Sequence, residues 1–497
     1  MMFAAFWVLM WGVACTCRVE DETSAQAPVE AEADVDDTLA AEVELEEDRV
    51  GNGRFPRARR MRAEKARKQR KAKAIKQAAG VKRKLNSLTT EQMVEAAAPT
   101  HAFSVNGKPR HVVLVVIDTL RADVVAEVDT PIFDAIASRG SVKKMWTSST
   151  WTAPSVISLF TGSSVREHGW RFPFPAQMNA KKHTYAKLPD VPVLAEVLGD
   201  AGFVTTGFYG NTLLHRRLGY NRGFKRWRFV GDRRLPSVVA SEVAVWEEGE
   251  RHFLYLHMFG AHQPLRPTAE SKEKWGVDSK YIVPGKGFKL KKLDVKDKAG
   301  VEQYNLAYRA VVEDVDHRLG QVLAALGEHR ADSLVIITSD HGELLGEHDV
   351  LGHGSFVWEP LTDVPFAVDG GGSVPARMTT ASIADLVTRS VGVEHTWPVS
   401  VENPGPLVAQ REGKIAFSTD GRFKGVWDSK NLGDGFAVFD LKKDVGETAP
   451  LGEEKEATLM SSRSAWESQV KEVHLASKEE AMSEELILAL QELGYME

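Results

Sequence analysis

The chain has 497 residues, of which 43% are hydrophobic and 27% charged. This balance excludes collagen-like, coiled-coil and wholly disordered proteins, and no apolar run reaches the roughly 18–20 residues that a membrane-spanning helix needs. The net charge of −6 argues against a general nucleic-acid partner. The only two cysteines are Cys15 and Cys17, so the rest of the chain has no disulfide, no zinc–thiolate site and no cysteine nucleophile.

The first residues predict export. Residues 1–17 are apolar, shorter than a membrane span and followed at once by polar sequence, which is typical of a secretion signal. Small residues precede Cys15, as in bacterial lipoprotein signals. Lipid attachment through Cys15, cleavage without lipid, and an uncleaved anchor therefore all stay open. We expect an exported protein that faces the periplasm or the cell exterior.

Residues 18–100 are expected to form a disordered linker with two oppositely charged parts. Residues 18–49 contain 13 acidic side chains and almost no large apolar ones, a composition that cannot bury enough surface to fold. Residues 54–84 contain 15 Lys and Arg against one acid, Glu64. This basic segment either lies on an anionic membrane surface or belongs to a solvated tether whose halves attract each other.

The main part of the chain alternates between strand and helix patterns. Apolar, β-branched runs predict buried parallel strands at 111–117, 203–209, 252–257 and 333–338, with helices between them, for instance at 193–201 and 304–326. This alternation predicts an α/β fold with a doubly wound, mostly parallel sheet flanked by helices.

The pattern changes near residue 400, which divides the chain into a predicted catalytic domain at 101–400 and a small C-terminal α/β subdomain at 401–497. The subdomain is expected to contain short strands at 414–418 and 435–441. We expect it to end in an amphipathic helix at 484–493.

Polar side chains with metal-binding or acid–base chemistry follow each of the four predicted strands. In chain order they are Asp118, Asn211, His257 with His262, and Asp340 with His341. Ligands of open α/β sheets bind beyond the carboxyl ends of the strands, so these residues form a candidate site. Carboxylates together with imidazole suit one divalent cation, Zn, Mn or Ca. Any one of these residues alone could equally be a turn or cap residue.

Thr152 lies at the predicted start of a helix that runs toward Gly162. At such a position backbone N–H groups and the helix dipole favour anions. The threonine hydroxyl could simply cap the helix, or it could be a nucleophile whose pKa is lowered by a neighbouring metal ion. The local sequence leaves both alternatives open.

Several separated motifs, taken together and in this order, resemble the sulfatase family of the alkaline phosphatase superfamily. The resemblance covers nearly all of residues 111–497. The motifs are HVVLVVIDTLRAD (111–123), WTAPSVISLFTG (151–162), HMFGAHQPLRP (257–267), SDHGELLGEH with GHG (339–354) and FDLKKDVGET (439–448).

The resemblance implies roles for individual residues. It implies that Asp118, Asp340 and His341 bind one metal ion and that Thr152 is both nucleophile and fourth metal ligand. It further implies that the substrate is contacted by Asn211, His262 and His353. The two histidines are also implied to take part in catalysis.

This chain departs from the sulfatase pattern at the nucleophile. Sulfatases form formylglycine from the Cys or Ser that opens C-x-P-S-R, whereas this frame reads TAPSV over 152–156. With threonine at this place, the chain resembles family members that act on phosphorus. We therefore expect a metal-dependent hydrolase of sulfate or phosphate esters, with phosphodiester or phosphomonoester cleavage favoured and a glycan or lipid headgroup as the carrier. A phosphoethanolamine- or phosphoglycerol-type transferase and a non-catalytic binding module remain alternatives.

Overall fold

The computed structural model describes residues 80–170, 184–185, 188, 190–283, 287–288, 293–371, 374–411, 413–428, 432, 435–473 and 480–481. The predicted signal at 1–17, the charged segments up to residue 79 and the predicted final helix at 484–493 lie outside the described residues. Within the described part, no helix combines the length and the apolar character needed to cross a membrane.

The strands, numbered in chain order, are β1 His111–Ile117, β2 Lys144–Trp146, β3 Thr184–Tyr185, β4 Phe203–Tyr209, β5 Arg226–Phe229, β6 Arg251–Met258, β7 Ile282–Val283, β8 Gly287–Phe288, β9 Ser333–Ser339, β10 Leu344–Leu345, β11 Leu351–Gly352, β12 Phe366–Asp369, β13 Arg377–Thr379, β14 Leu407–Arg411, β15 Lys414–Ser418, β16 Phe423–Trp427, β17 Phe436–Asp440 and β18 Glu480–Ala481.

The α-helices, numbered in the same way, are α1 Thr90–Ala97, α2 Ala122–Glu127, α3 Pro131–Ala137, α4 Thr152–Thr161, α5 Val165–His168, α6 Leu194–Asp200, α7 Leu235–Val243, α8 Ala269–Lys274, α9 Lys298–Ala324, α10 Glu359–Thr362, α11 Ile383–Ser390 and α12 Glu453–Gln469.

The central sheet has the strand order β12-β9-β1-β6-β4-β5. All neighbouring pairs are parallel except β12 with β9. Strand β1 is buried along its whole length because its side chains enter two cores: Val112, Leu114 and Val116 pack on one face, and Val113 and Val115 on the other. Helices cover both faces, which confirms the predicted α/β fold with a mostly parallel sheet.

The C-terminal part contains a separate antiparallel sheet of strands β14, β15, β16 and β17 in sequence order. Helix α12 packs against it through the buried Leu459, which belongs to a small core with Phe417 and Val438. The predicted strand at 414–418 has the bounds of β15, and the predicted strand at 435–441 corresponds to β17.

The structure differs from the expected elements at the end of the linker, at both edges of the central sheet, and in the C-terminal sheet, where β14 and β16 were not predicted. The end of the expected linker, residues 90–97, is helix α1, which begins with a capping box at Thr89 and buries Met93 and Ala97. The sheet also has two edge strands that were not predicted. β5 is short and rich in arginine, and β12 has only four residues, so neither shows a long apolar run.

A buried ion cluster joins the C-terminal sheet to the α/β part of the chain that contains the central sheet. Lys424 on β16 has no exposed surface, and its Nζ lies 3.0 Å from Glu359 Oε2 and 2.9 Å from Glu447 Oε1. Burial would raise the pKa of Glu359, but the charges of Lys424 and Lys144 hold it below its ordinary value. Glu447 belongs to the 439–448 motif, so this motif contributes to the contact between the two parts.

Replacing Lys424 with Met should destabilise the fold strongly, because Glu359 and Glu447 would stay buried without their common cation. We expect a loss of about 3–5 kcal/mol in the free energy of unfolding, measured by urea denaturation. Lys298→Met is the matched control, since the Lys298 side chain is 76% exposed beside Asp349. It should change stability by less than about 1 kcal/mol. Equal effects of the two variants would contradict a stabilising role for the cluster.

Histidines gather around Trp246 at the end of the sheet opposite the candidate site. His252 stacks on the Trp246 ring at 4.2 Å, with His111 and His329 beside it. Burial, together with the neighbouring histidines, lowers the pKa of His111 to about 3 and the pKa of His252 to about 4, although Glu250 opposes the shift at His252. Both imidazoles are therefore neutral in the folded chain at neutral pH.

These histidines should make the fold sensitive to acid. The unfolded chain takes up protons near pH 6.5 and the folded chain does not, so this stabilisation is complete above pH 6.5 and is lost as the pH falls toward 4. His252→Phe keeps an aromatic ring against Trp246 and should reduce the stability loss between pH 7 and pH 5 by roughly 1–2 kcal/mol. Urea denaturation at both pH values measures this, and an unchanged pH dependence would refute it.

Candidate metal and nucleophile site

The candidate site lies at the carboxyl edge of the central sheet. Asp118 directly follows β1, Asp340 directly follows β9, and Asn211 comes two residues after β4. Strands β1 and β9 are neighbours in register, with Ile117 paired to Ser339, so the two aspartates emerge side by side. The parallel topology thus brings together residues that are more than 200 positions apart in the sequence.

Three of the predicted metal ligands form a compact group. Asp118, Asp340 and His341 are fully buried, and each offers one ligand atom within 4.8 Å of the other two. His341 Nε2 lies 3.8 Å from Asp118 Oδ1 and 3.7 Å from Asp340 Oδ2. Neither of these two carboxylate oxygens accepts a hydrogen bond from a described residue, so the group offers lone pairs where a cation would sit.

The charges at this group also fit a cation. Burial and repulsion from Asp340 raise the pKa of Asp118 well above its ordinary value. Burial opposes ionisation of Asp340 as well, but His341 and His257 lower its pKa. Two buried carboxylates side by side need a positive charge or a proton between them. Oxygen and imidazole ligands suit the divalent ions predicted from the sequence, Zn, Mn or Ca.

Thr152 is the first residue of α4 and is completely buried. Its Oγ1 lies 3.2 Å from His341 Nε2 and accepts a hydrogen bond from Asn211 Nδ2 at 3.3 Å. The same amide donates to Asp118 Oδ2 at 2.6 Å. The N-cap of the helix is Trp151, without any side-chain cap, so capping does not account for the Thr152 hydroxyl. That hydroxyl faces the predicted metal ligands instead.

The two predicted substrate histidines lie beside this group. The ring of His353 is 4.4 Å from that of His341 and 5.0 Å from that of His262. Burial lowers the pKa of His262 to about 3, and the charge of His353 acts in the same direction. Burial also lowers the pKa of His353 to about 4, where the charge of Arg411 adds to the effect. Both rings are neutral at pH 7 in the absence of an anionic ligand.

The structure thus gathers every predicted site residue into one place and adds others. Glu343 is fully buried, and its two carboxylate oxygens lie 3.2 and 3.3 Å from His353 Nδ1. His257 Nε2 is 3.5 Å from Asp340 Oδ2. The sequence places Glu343 in the SDHGE motif and His257 at a strand end. It does not indicate that Glu343 contacts His353 or that His257 lies beside Asp340. Asp232, which hydrogen-bonds the turn before His262, follows the unpredicted strand β5.

The sulfatase family model matches residues 110–391, which is more than half of the chain. The chain therefore belongs to the sulfatase family. Among curated proteins it is similar to the low-salt glycan biosynthesis sulfotransferase Agl7 of Haloferax volcanii, with 26% identity over 55% of this chain and 57% of that protein. The chain spans between 11% and 57% of the length of the curated relatives it matches.

Solved structures share the fold at low identity. A protein crystallised with its substrate D-glucosamine-2-N,6-O-disulfate has a TM-score of 0.58 and 16% identity, over 73% of this chain and 98% of that one. The phosphonate monoester hydrolase of Silicibacter pomeroyi has a TM-score of 0.55 and 16% identity, over 75% of this chain and 99% of that one. Membership of the sulfatase family supports an enzyme that hydrolyses ester bonds, and these two neighbours show the fold.

Metal binding should be visible in stability. Adding Mn, Zn or Ca to the metal-stripped chain should raise its unfolding temperature, since a ligand at 100 times its Kd stabilises by about 2.7 kcal/mol. Asp118→Asn should abolish this shift and also stabilise the stripped chain, because it removes the repulsion with Asp340. Asp316→Asn changes another buried aspartate, which accepts amide hydrogen bonds from Ile132 and Phe133, and should keep the metal-dependent shift. The measurement is the thermal unfolding temperature of each variant with and without each ion. A wild-type increase of this temperature in Asp118→Asn would contradict the assignment of Asp118 as a metal ligand.

Proposed function

We propose that this chain is a metal-dependent hydrolase of phosphate or sulfate esters that uses Thr152 as its nucleophile. The observation that carries the proposal is the buried Thr152 hydroxyl, which lies at the start of α4 within hydrogen-bond distance of His341 and Asn211. No cap and no packing need accounts for a hydroxyl in this position, whereas an attacking group needs a buried, oriented oxygen beside the metal ligands.

Threonine favours phosphorus over sulfur in the proposed reaction. The only cysteines are Cys15 and Cys17, so formylglycine made from a cysteine of the nucleophile motif is excluded. A sulfated threonine lacks the hydrate hydroxyl by which formylglycine expels sulfate. A phosphorylated threonine can be hydrolysed by water that attacks the phosphorus atom. The similarity to a phosphonate monoester hydrolase supports phosphodiester or phosphomonoester cleavage.

A divalent cation on Asp118, Asp340 and His341 would supply the positive charge that favours a threonine alkoxide and balances charge on the ester oxygens. The Thr152 hydroxyl gives its proton to water, and Oγ then attacks phosphorus in line. The Oγ–P bond forms while the bond to the alcohol oxygen breaks, and the alcohol leaves with a proton from His262 or His353. Asn211 orients the attacking oxygen through its hydrogen bond. The backbone N–H groups at the start of α4 stabilise the negative charge on the transferred group.

His262 and His353 are the groups available to move protons. An anionic ester bound beside these neutral rings would raise their pKa values, so that one of them can protonate the leaving alcohol. The same ring can then take a proton from the water that cleaves the phospho-threonine. Because Glu343 faces Nδ1 of His353, the other ring nitrogen, Nε2, is left for the substrate.

A glycan that carries the ester is the substrate class supported by the neighbours. One similar protein is a sulfotransferase of glycan biosynthesis, and another was solved in complex with a disulfated glucosamine. We also propose that the chain acts outside the cytoplasm, as residues 1–17 suggest. Lipid attachment through Cys15 and membrane contact by the basic segment at 54–84 belong to the same proposal.

The test compares three nitrophenyl esters in parallel. Metal-stripped full-length chain is supplied with Mn, Zn or Ca and assayed on bis(4-nitrophenyl) phosphate, 4-nitrophenyl phosphate and 4-nitrophenyl sulfate. We expect phosphate ester cleavage to exceed sulfate cleavage. Thr152→Ala should lower kcat by at least about 10³-fold, as for other lost nucleophiles, and Thr152→Ser should retain part of it.

Thr161→Ala is the matched control for this test. Thr161 is a buried threonine of the same helix, and its hydroxyl donates to Ile157 O at 2.8 Å, away from the metal ligands. It should keep kcat near the wild-type value. Wild-type turnover in Thr152→Ala would refute the nucleophile, and faster cleavage of the sulfate ester would refute the preference for phosphorus.

A further inference from the structure

Asp232 ties together two loops at the carboxyl edge of the sheet. It lies three residues after β5, and its carboxylate accepts the N–H of Phe259 at 3.0 Å to Oδ1 and 3.1 Å to Oδ2. Burial raises the pKa of this carboxylate, and the backbone N–H groups of Phe259 and Gly260 act against that rise. Phe259 and Gly260 begin the turn that follows β6. A single carboxylate therefore holds the start of this turn by its backbone.

Two glycines let the carboxylate come this close. A Cβ on Gly260 would lie 2.4 Å from Val315 Cγ2 and 2.9 Å from Asp232 Oδ2, and a Cβ on Gly210 would lie 2.9 Å from Phe259 Cβ. The N–H of Gly210 also donates to His257 O at 2.8 Å. The turn thus packs against the loop after β4 and against α9, with the carboxylate between them.

The position of Phe259 determines where His262 lies. The N–H of His262 donates to Phe259 O at 3.0 Å, and the imidazole stacks on the Phe259 ring at 4.4 Å with 25° between the planes. On its other side, His262 Nδ1 is 2.5 Å from Gln263 O. A shift of the Phe259 backbone would therefore move the His262 ring relative to His353 and the metal ligands.

We infer that Asp232 is a positioning residue that acts on the reaction by fixing the turn that carries His262. This inference rests on the proposed function, because it gives His262 a role at the substrate. Among the described residues Asp232 accepts the backbone N–H of Phe259 and hydrogen-bonds no predicted site residue, although its charge acts from a distance to raise the pKa of Asp118. Its effect on turnover is expected to come from misplacement of the imidazole, which can cost up to about 100-fold in rate for a shift on the order of 1 Å.

Asp332 provides a matched control. Its Oδ1 accepts the backbone N–H groups of Ser104 and Arg110, both at 3.1 Å, and it is partly buried like Asp232. It lies just before β9, at the end of the sheet opposite the candidate site. Asp332→Ala therefore removes the same kind of contact without touching the turn.

The experiment is a double-mutant cycle in the full-length chain with bis(4-nitrophenyl) phosphate. Asp232→Ala should lower kcat by about 10- to 100-fold, and Asp332→Ala should stay within about twofold of wild type. If Asp232 acts through His262, adding Asp232→Ala to His262→Ala should change kcat by less than about twofold. Effects that multiply, or equal losses in the two aspartate variants, would overturn the inference.

Hydrogen exchange gives a readout that is independent of turnover. The amides of Phe259 and Gly260 should lose protection in Asp232→Ala and keep it in Asp332→Ala. Asp232→Asn retains one acceptor oxygen and should show an intermediate loss of both kcat and protection, which covers the case in which the alanine variant does not fold. Wild-type kcat and wild-type exchange in Asp232→Asn would also overturn the inference. Failure of the proposed function itself would appear separately, as wild-type turnover in Thr152→Ala.

Discussion

Two buried carboxylates at the ends of adjacent strands are the constraint on which the site depends. Asp118 and Asp340 emerge side by side from β1 and β9, and each keeps one oxygen without a hydrogen-bond partner. Bringing like charges together in a buried place is costly unless a cation or a proton lies between them. The residues around them fit this need, because Asn211 donates to the second oxygen of Asp118 and the imidazoles of His257 and His341 face Asp340.

The segment 151–162, which contains Thr152, is joined to this acid pair through the side chain of Ser155. The Ser155 hydroxyl donates to the carbonyl oxygen of Asp340 at 2.7 Å, so the first turn of α4 is joined directly to the end of β9. Arg121 also joins two segments near the site, because its guanidinium donates to the carbonyl oxygen of Glu343. These contacts hold Thr152 and the predicted metal ligands next to one another.

The central strands could be predicted because they satisfy one strong local rule. The segments 111–117 and 203–209 are apolar, β-branched and buried, and the structure gives them the same bounds. The edge strands β5 and β12 escaped prediction because they are short and are held by pairing with neighbours rather than by their own pattern. Helix α1 was missed for a related reason, since only two of its residues, Met93 and Ala97, are buried.

The sequence by itself determined the chemistry available to this protein: carboxylates, imidazoles and a threonine at strand and helix ends, and no cysteine beyond residue 17. It did so because residue type and local pattern are properties of short segments. The tertiary structure alone decided which side chains meet. The pairing of Glu343 with His353, of Asp232 with Phe259 and of Lys424 with Glu359 depends on how distant segments pack, and nothing in the local sequence of either partner specifies the other.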